Sequence, residues 1–215
     1  MPGRQVFWNI VYGPIIYLLM FIPLFFASFG LYQRVRLWRW GKPEVRWDRW
    51  EVRLWGVMVE LSGHRRFLQD PFPGVMHFII FWGAIALLIG TTLLAIHEHV
   101  IPFLEGSVYL GYSLILDVLG FLLLIGVGVA AYRRYIQRPD RLDKNWDYPL
   151  TLGIIALLIV TGYLLEGLRM LATELVQHPD WTWWSPVGLV VALGFKALDM
   201  GENEADLLHR GLWWF

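Results

Sequence analysis

Four apolar runs, each long enough to cross a lipid bilayer, constrain the fold of this chain more than any other feature of its sequence. A hydrocarbon core about 30 Å thick requires roughly 20 apolar residues in an α-helix. The runs lie at about residues 10–32, 75–96, 109–132 and 148–172. Because lipid does not tolerate open sheet edges, the sequence predicts an all-α membrane protein with a bundle of four complete transmembrane helices.

Three shorter segments complete the predicted architecture. Residues 47–61 carry apolar side chains at helical spacing, which indicates an amphipathic helix on the cytoplasmic surface. Residues 187–198 form an apolar stretch too short to span, and we expect an outer interfacial helix there. A fifth apolar run begins at Leu207 and reaches Phe215. We therefore expect residues 1–215 to form a single membrane domain that is incomplete at its C-terminus.

Composition excludes several classes of protein. Hydrophobic residues make up 57% and charged residues 17% of the chain, which excludes a water-soluble domain. The formal net charge is zero, so nothing suggests a nucleic-acid partner. Cysteine is absent, which excludes thiolate metal sites, iron–sulfur clusters and covalently attached c-type haem in this chain. Any redox centre here needs other ligands.

Basic residues predict the orientation in the membrane. The connection after the first run holds nine Lys and Arg residues, and the connection after the third run holds five. The two connections on the opposite side hold Lys196 alone. Because basic loops remain in the cytoplasm, the sequence predicts a multi-pass protein with its N-terminus outside and both basic loops cytoplasmic.

Histidines are the candidate cofactor ligands. His77 lies near the start of an apolar run without charged residues, and an ionisable group at membrane depth is a functional candidate by default. His97 and His99 lie at the other end of that run. On a helix His99 falls about 40° from His77 and His97 about 200° from it, although His97 is deeper in the run. An interfacial or solvated histidine is the alternative at each position.

His209 opens the fifth segment at the predicted depth of His97 and His99. Two imidazoles from different helices at one depth could ligate a haem iron, and Arg210 could then pair with a haem propionate. The partner of His77 would lie beyond Phe215, since the other membrane face is some 18 residues further along a helix.

Asp117 and Glu166 are lone carboxylates in the predicted outer halves of the third and fourth runs. Buried carboxylates there could accept the protons that a quinol releases on oxidation, which makes both residues candidate catalytic groups. The alternative is structural. Glu166 would then pair with Arg169 three residues on, and Asp117 would bond a hydroxyl such as that of Thr91.

Two segments of the sequence resemble a known family. They are His-Arg-Arg-Phe-Leu-Gln-Asp-Pro-Phe-Pro-Gly-Val-Met-His at 64–77, followed by Phe-Trp-Gly and Gly-Thr, and Leu-His-Arg-Gly-Leu-Trp-Trp at 208–214. They resemble the dihaem cytochrome b domain of the nitrate reductase gamma-subunit superfamily. The resemblance is strongest to the branch fused to, or encoded beside, iron–sulfur proteins of the heterodisulfide reductase type, and it covers most of the chain.

The resemblance implies a five-helix protein of a prokaryotic cytoplasmic membrane with two b-type haems in the complete protein. It implies that His77 ligates the inner haem, that His209 lies at the outer haem, and that Arg65, Arg66 and Arg210 lie near the cofactors. The nitrate reductase subunit has a second ligand where this chain has Leu87, so His97 or His99 would have to take that place. The implied substrate is menaquinone or ubiquinone, and the implied partner is a cytoplasmic iron–sulfur protein or fused domain.

The function expected from these features is electron transfer between a quinone pool and a cytoplasmic iron–sulfur partner through b-type haems. The chain would be a subunit or domain of a quinone-linked oxidoreductase in a respiratory chain. Two alternatives remain. One is a haem-free membrane anchor of a redox complex, and the other is a small proton-coupled transporter that uses Asp117 and Glu166. The sequence has no inverted repeat, which argues against the transporter.

Overall fold

The structure, a computed structural model, describes residues 3, 7–41, 48–63, 67–139 and 145–214. Within these ranges all regular elements are helical. The α-helices are α1 Ile15–Leu19, α2 Phe21–Trp38, α3 Trp50–Gly63, α4 Pro71–His99, α5 Gly106–Tyr132, α6 Asp147–Ala172, α7 Glu174–Gln177, α8 Pro186–Ala197 and α9 Glu202–Trp213. Short 3-10 helices cover Phe67–Gln69 and Pro179–Trp184, and a π-helix, Arg133–Gln137, continues α5.

Four helical stretches of the described residues are long and apolar enough to cross a membrane. They are Ile15–Trp38, Pro71–His99, Gly106–Gln137 and Asp147–Gln177. This confirms the predicted all-α membrane bundle. The chain forms two compact units, Ile10–Gly63 and a second unit of Met1–Asn9 with His64–Phe215. The single domain expected from the sequence stays a prediction.

The first unit consists of α1, α2 and α3. Its apolar span starts at Ile15, about five residues later than predicted, because Tyr12 has a left-handed φ of 62° and Pro14 precedes the first helical turn. The helix is interrupted at Met20 between α1 and α2. Pro23 explains this break, because proline has no N–H to donate to the carbonyl four residues earlier. The amphipathic helix predicted over 47–61 is α3, described from Trp50.

The second unit is built on α4, α5 and α6, which run antiparallel to their neighbours. Gly83 and Gly90 let α4 approach α5 closely. A Cβ at Gly83 would lie 2.8 Å from Leu123 Cβ, and one at Gly90 would lie 2.5 Å from Leu116 Cδ1. Small residues at such contacts are the usual means of helix packing in lipid. Leu123 also joins Val127 and Ile159 in the core between α5 and α6.

A second core lies where α6 packs against α8 and α9. Its buried residues are Leu168, Met170, Leu171, Leu189, Ala192 and Ala205. The short apolar helix expected over 187–198 is present as α8. The helix expected from Leu207 begins at Glu202, because its first turn is polar. The Gly201 N–H donates to Glu204 Oε2 at 3.1 Å, and acidic residues in a first turn stabilise the helix N-terminus.

Residues 7–9 belong to this second unit and pack on α9. The Phe7 and Trp213 rings meet edge-on at 5.9 Å between centroids, and the Trp8 and His209 rings do so at 4.9 Å. The Asn9 side-chain amide donates to the backbone carbonyl of Asp206 at 3.1 Å and also to the Asp206 carboxylate. The segment 7–9 therefore covers the face of α9 that carries His209.

Candidate functional site

A cavity of about 380 Å³ lies between α4, α5 and α6, in the half of the bundle where α4 ends and α5 begins. Leucine and isoleucine side chains form much of its wall. The polar residues that line it are Thr91, Tyr109, Tyr112, Ser113, Asp117, Tyr163 and Glu166. An apolar pocket of about 300–1,000 Å³ with a few convergent polar groups is typical of a small-molecule site. The structure thus brings both candidate carboxylates, Asp117 and Glu166, to one cavity.

The polar lining follows a stripe along α5. Tyr109, Ser113 and Asp117 recur every four residues, which places them on one face of the helix. Sequence reasoning identified Asp117 alone of these three residues and missed Tyr109 and Ser113. The four-residue spacing of polar side chains in an apolar span was the signal that could have found them.

Asp117 binds the first turn of α8. Its Oδ2 accepts the Val187 N–H at 2.8 Å, and its Oδ1 accepts the Gly188 N–H at 3.1 Å. Pro186 occupies the first position of α8 and has no N–H, and the side chain of Ser185 makes no capping bond to this turn. Asp117 therefore supplies from α5 the acceptor that α8 lacks. Thr91, the partner considered from the sequence, donates instead to the Leu87 carbonyl at 3.0 Å.

A serine pair adds to this contact between α5 and α8. The hydroxyl oxygens of Ser113 and Ser185 lie 2.7 Å apart and share a hydrogen bond. Ser113 is four residues before Asp117 on the same face of α5. Two successive turns of α5 thus fix the start of α8 beside the cavity.

Glu166 takes part in a buried ion cluster with Arg169 and Glu174. The pair expected from the i, i+3 spacing is present, with Arg169 Nη2 3.7 Å from Glu166 Oε1. Arg169 Nη1 also lies 2.5 Å from Glu174 Oε1. The Arg169 side chain is 8% exposed, and its Nε has no hydrogen-bond partner among the described residues. The shorter contact shows that the guanidinium is bound mainly to Glu174, a residue that sequence reasoning missed.

Gly188 is the point where the two cavity carboxylates meet α8. Its N–H binds Asp117, and a Cβ at this position would lie 2.9 Å from Glu166 Cγ. The side chain of Glu166 therefore packs directly on the first turn of α8. Only a residue without a Cβ leaves room for that contact.

Two tyrosine hydroxyls of the cavity are fixed by backbone carbonyls. Tyr163 Oη donates to the Asp117 carbonyl at 2.5 Å, and Tyr112 Oη donates to the Gly90 carbonyl at 2.9 Å. Each hydroxyl oxygen keeps lone pairs that can accept a further hydrogen bond. The lining can thus accept hydrogen bonds at both tyrosines and at Glu166. Neither tyrosine was singled out from the sequence.

Hydrogen bonds distinguish His97 from His99 as possible iron ligands. His97 Nδ1 accepts the N–H groups of Phe103 and Leu104 at 2.8 and 3.0 Å, so a neutral ring carries its hydrogen on Nε2. His99 Nδ1 lies 3.0 Å from the Ala95 carbonyl, to which it can only donate. A neutral His99 ring therefore carries its hydrogen on Nδ1. A ring that donates its other N–H to a carbonyl is the usual arrangement of a metal-bound histidine.

The two other candidate histidines lie on different helices. His77 lies in the second turn of α4, where its ring faces that of Phe81 with 6.4 Å between centroids. His209 is 5% exposed and lies on α9, which packs against α6. Because α9 contacts the later half of α6, His99 and His209 lie toward one end of the unit and His77 toward the other. The candidate histidines therefore lie toward opposite ends of this unit.

Of the three arginines expected near the cofactors, the structure describes one, Arg210. Arg210 Nη2 lies 2.6 Å from Asn9 Oδ1 and 3.3 Å from Asp206 Oδ2, so it already binds groups of its own unit. Its role at a haem propionate stays a prediction. Arg65 and Arg66 lie outside the described residues.

A haem would have to be held by pairs of histidines rather than by a preformed cluster. Across the described ranges, no group of three or more His, Cys, Asp or Glu side chains is placed to hold a metal ion. Bis-imidazole haem ligation needs two side chains from separate helices. His77, His99 and His209 offer imidazole donors of the type that such ligation uses, and their role as haem ligands stays a prediction.

Comparison with curated proteins finds three redox proteins similar to this chain. "EtfAB:quinone oxidoreductase" of Syntrophomonas wolfei subsp. wolfei (strain DSM 2245B / Goettingen) is 38% identical over 223 residues, covering 100% of this chain and 31% of that protein. "Probable iron-sulfur-binding oxidoreductase FadF" of Bacillus subtilis (strain 168) is 29% identical over 182 residues, covering 81% of this chain and 24% of that protein.

The third similar protein is one of the subunits of the dihydromethanophenazine:CoB--CoM heterodisulfide reductase of Methanosarcina barkeri (strain Fusaro / DSM 804). It is 28% identical over 121 residues, which cover 53% of this chain and 46% of that protein. The chain thus spans less than half the length of each of these relatives. No protein-family model matches the chain, and no solved structure matches it.

Proposed function

We propose that this chain is the membrane electron-transfer module of a quinone-linked oxidoreductase, and that the cavity between α4, α5 and α6 is its quinone site. The observation that carries the proposal is the convergence of Asp117 and Glu166 on one largely apolar cavity. The names of the relatives support it, since they describe a quinone oxidoreductase, part of a heterodisulfide reductase and an iron–sulfur-binding oxidoreductase.

A quinone ring suits the chemistry of this cavity. The leucine and isoleucine walls can take its apolar body and the start of its isoprenoid tail. Quinol hydroxyls donate hydrogen bonds, and the fixed oxygens of Tyr112, Tyr163 and Glu166 accept them. A carboxylate within reach of a quinol hydroxyl can take its proton as the electrons leave. Asp117 already accepts two backbone N–H groups, so the oxygens of Glu166 are the more available to a quinol hydroxyl.

Two b-type haems, as the resemblance implies, would supply one-electron carriers across the hydrocarbon core. His77 would hold one haem at its end of the unit. His99 and His209 would hold the other near the opposite end, and the tautomer of His97 argues against that residue. The orientation predicted from the basic loops places the cavity near the outer face of a prokaryotic cytoplasmic membrane. A cytoplasmic iron–sulfur protein or fused domain would then exchange electrons at the His77 end.

A cavity-filling variant tests the quinone site. Gly162 lines the cavity, and a Cβ there meets nothing within 4 Å, so Gly162→Leu adds bulk to open space. We expect photo-crosslinking of an azidoquinone to α5 and α6 peptides of the full-length protein in membranes to fall at least tenfold in this variant. Gly153→Leu is the matched control on α6, since it also meets nothing within 4 Å and lines a different cavity. Equal labelling of both variants and the wild type would reject the site.

Optical spectra test the haem part separately. We expect a b-type α band in reduced-minus-oxidised spectra of the purified protein, and its partial loss in His77→Ala and His99→Ala. His97→Ala should keep the full haem content. A wild-type protein without a b-type band would leave the haem-free anchor as the better account. Proton-coupled uptake of a solute without quinone binding would instead favour the transporter.

A further inference from the structure

We propose that Arg169 and Glu174 are positioning residues that keep Glu166 able to exchange protons between the cavity and the end of the bundle. The inference rests on the proposed quinone site and adds a proton route to it. It concerns an ion cluster that lies at the end of α6 and just beyond it, of which only Glu166 lines the cavity.

The two contacts of Arg169 are unequal, and their difference decides how closely Glu166 is paired with the guanidinium. The guanidinium is 2.5 Å from Glu174 and 3.7 Å from Glu166. The charge of Arg169 is thus largely matched by Glu174, whose side chain is 12% exposed. Glu166 is held in place by the longer contact without being neutralised by a close bidentate pair. A carboxylate held this way keeps its oxygens available to a donor in the cavity, whereas a close bidentate pair would occupy both of them.

The buried Nε of Arg169 offers a binding place for a water within the cluster. A guanidinium does not release its own proton, so a proton must travel beside it. Arg169 Nε is buried and has no hydrogen-bond partner in the described part of the chain. Buried donors of this kind are commonly satisfied by an ordered water. One water bound there would lie beside the guanidinium that contacts both Glu166 and Glu174.

Quinol oxidation beside this cluster conserves atoms and electrons. When the quinol is oxidised, one of its O–H bonds breaks and an O–H bond forms on a Glu166 oxygen. The electron would pass to a one-electron acceptor of the class that the proposed function assigns to b-type haem and iron–sulfur centres. Glu166 then releases the proton through water toward Glu174 and takes the second one in the same way. Two electrons and two protons leave each quinol, and quinone reduction is the reverse.

Several other titratable side chains lie near Glu166 and contribute to its electrostatic environment. Asp117, Tyr109 and Tyr112 line the cavity from α5, and Tyr163 and Arg169 come from α6 itself. Glu174 comes from α7. The part of α8 that packs on Glu166 through Gly188 has no titratable side chain before Lys196. On α9 the buried titratable residue is His209, which packs against Trp8.

Two variants with opposite expected effects test the proposal in the full-length protein in membranes. Glu174→Gln frees Arg169 to pair closely with Glu166, so the pH profile of duroquinol oxidation should move about one unit to lower pH, and the plateau rate should fall about tenfold. Arg169→Met removes the cation, so the profile should move to higher pH. Glu105→Gln, an exposed carboxylate at the same end of the bundle, is the control and should match the wild type.

Infrared spectra separate a proton carrier from a merely structural residue. A carboxylic-acid band in reduced-minus-oxidised difference spectra should be absent in Glu166→Gln and return in Glu166→Asp. The same band in Glu174→Gln should appear only at lower pH than in the wild type. If Arg169→Met does not fold, these spectra and Glu174→Gln decide the question alone.

The outcomes also separate this proposal from the one on which it rests. A wild-type protein that neither binds nor oxidises duroquinol rejects the quinone site itself. A wild type that oxidises duroquinol, with unmoved pH profiles in Glu174→Gln and Arg169→Met, rejects the proton route alone. A uniform loss of rate at all pH values in both variants would assign the cluster a structural role and would likewise overturn the route.

Discussion

Asp117 accepts the backbone N–H of Gly188 at 3.1 Å, and this bond ties the middle of a membrane-spanning helix to the first turn of a helix, 71 residues further along the chain. The contact satisfies two needs at once. The buried carboxylate gains donors that lipid does not provide, and α8 gains an acceptor for its free N–H groups. It also fixes the turn of α8 on which the side chain of Glu166 packs.

The close approach of Glu166 to Gly188 predicts that one methyl group added at residue 188 destabilises the protein. In Gly188→Ala the new Cβ would lie 2.9 Å from Glu166 Cγ and 3.0 Å from Met170 Sδ, so both side chains must move. We expect a loss of about 1–3 kcal/mol in stability from overpacking. Thermal unfolding in detergent measures it. Gly194→Ala in the same helix meets nothing within 4 Å and should be neutral or slightly stabilising. Equal midpoints for the two variants would contradict the packing.

The two backbone bonds of Asp117 predict the result of removing its charge. In Asp117→Asn the amide nitrogen cannot accept an N–H group, so one bond to α8 is lost and the other is no longer charge-assisted. We expect destabilisation of about 1.5–3 kcal/mol, together with faster proteolysis between α7 and α8. Thermal unfolding and limited proteolysis in detergent measure these effects. Asp147→Asn, at an exposed helix start, should change neither.

Burial predicts that two arginine ion pairs differ in importance. Arg169 is 8% exposed between two glutamates, and its loss leaves buried carboxylates without a cation. We expect Arg169→Met to cost about 3–5 kcal/mol. Arg53 binds Asp48 at 2.9 Å, but its side chain is 51% exposed, so Arg53→Met should cost no more than about 1 kcal/mol. Unfolding midpoints of the two variants in detergent test the ranking, and similar losses would refute it.

The absence of cysteine makes the predicted orientation simple to test. A single introduced cysteine is the one thiol in the chain. We expect a membrane-impermeant maleimide to label Asp180→Cys in intact cells, because residue 180 follows α7 on the predicted outer side. Arg138→Cys, at the end of the π-helix, should be labelled only after the membrane is opened. The reverse pattern would place the basic loops outside.

The sequence allowed the membrane architecture to be predicted well, because span length is a local property. The spans predicted at 75–96, 109–132 and 148–172 correspond in the structure to the helical stretches Pro71–His99, Gly106–Gln137 and Asp147–Gln177. The errors were at helix starts. Turn geometry sets the helix start at Ile15, and a polar capping turn sets the one at Glu202. The apolar content of a segment does not report either feature.

The candidate site was predicted only in part. Asp117 and Glu166 were visible as lone charges in apolar runs, and the helical spacing of Glu166 and Arg169 predicted their contact. Glu174 was missed because the chain turns after α6, and no periodic pattern continues through that turn. Tyr163 was missed because a tyrosine in a span is unremarkable until its hydroxyl is seen to bind the Asp117 backbone.

What the sequence alone determined is which segments leave water, since that depends on the length and polarity of each segment by itself. What only the tertiary structure decided is which polar groups meet there. The bond from Asp117 to Gly188 and the choice of Glu174 over Glu166 by Arg169 join separate helices. Such pairings follow from how the helices pack, because each buried charge must find its partner in another segment when neither lipid nor its own helix supplies one.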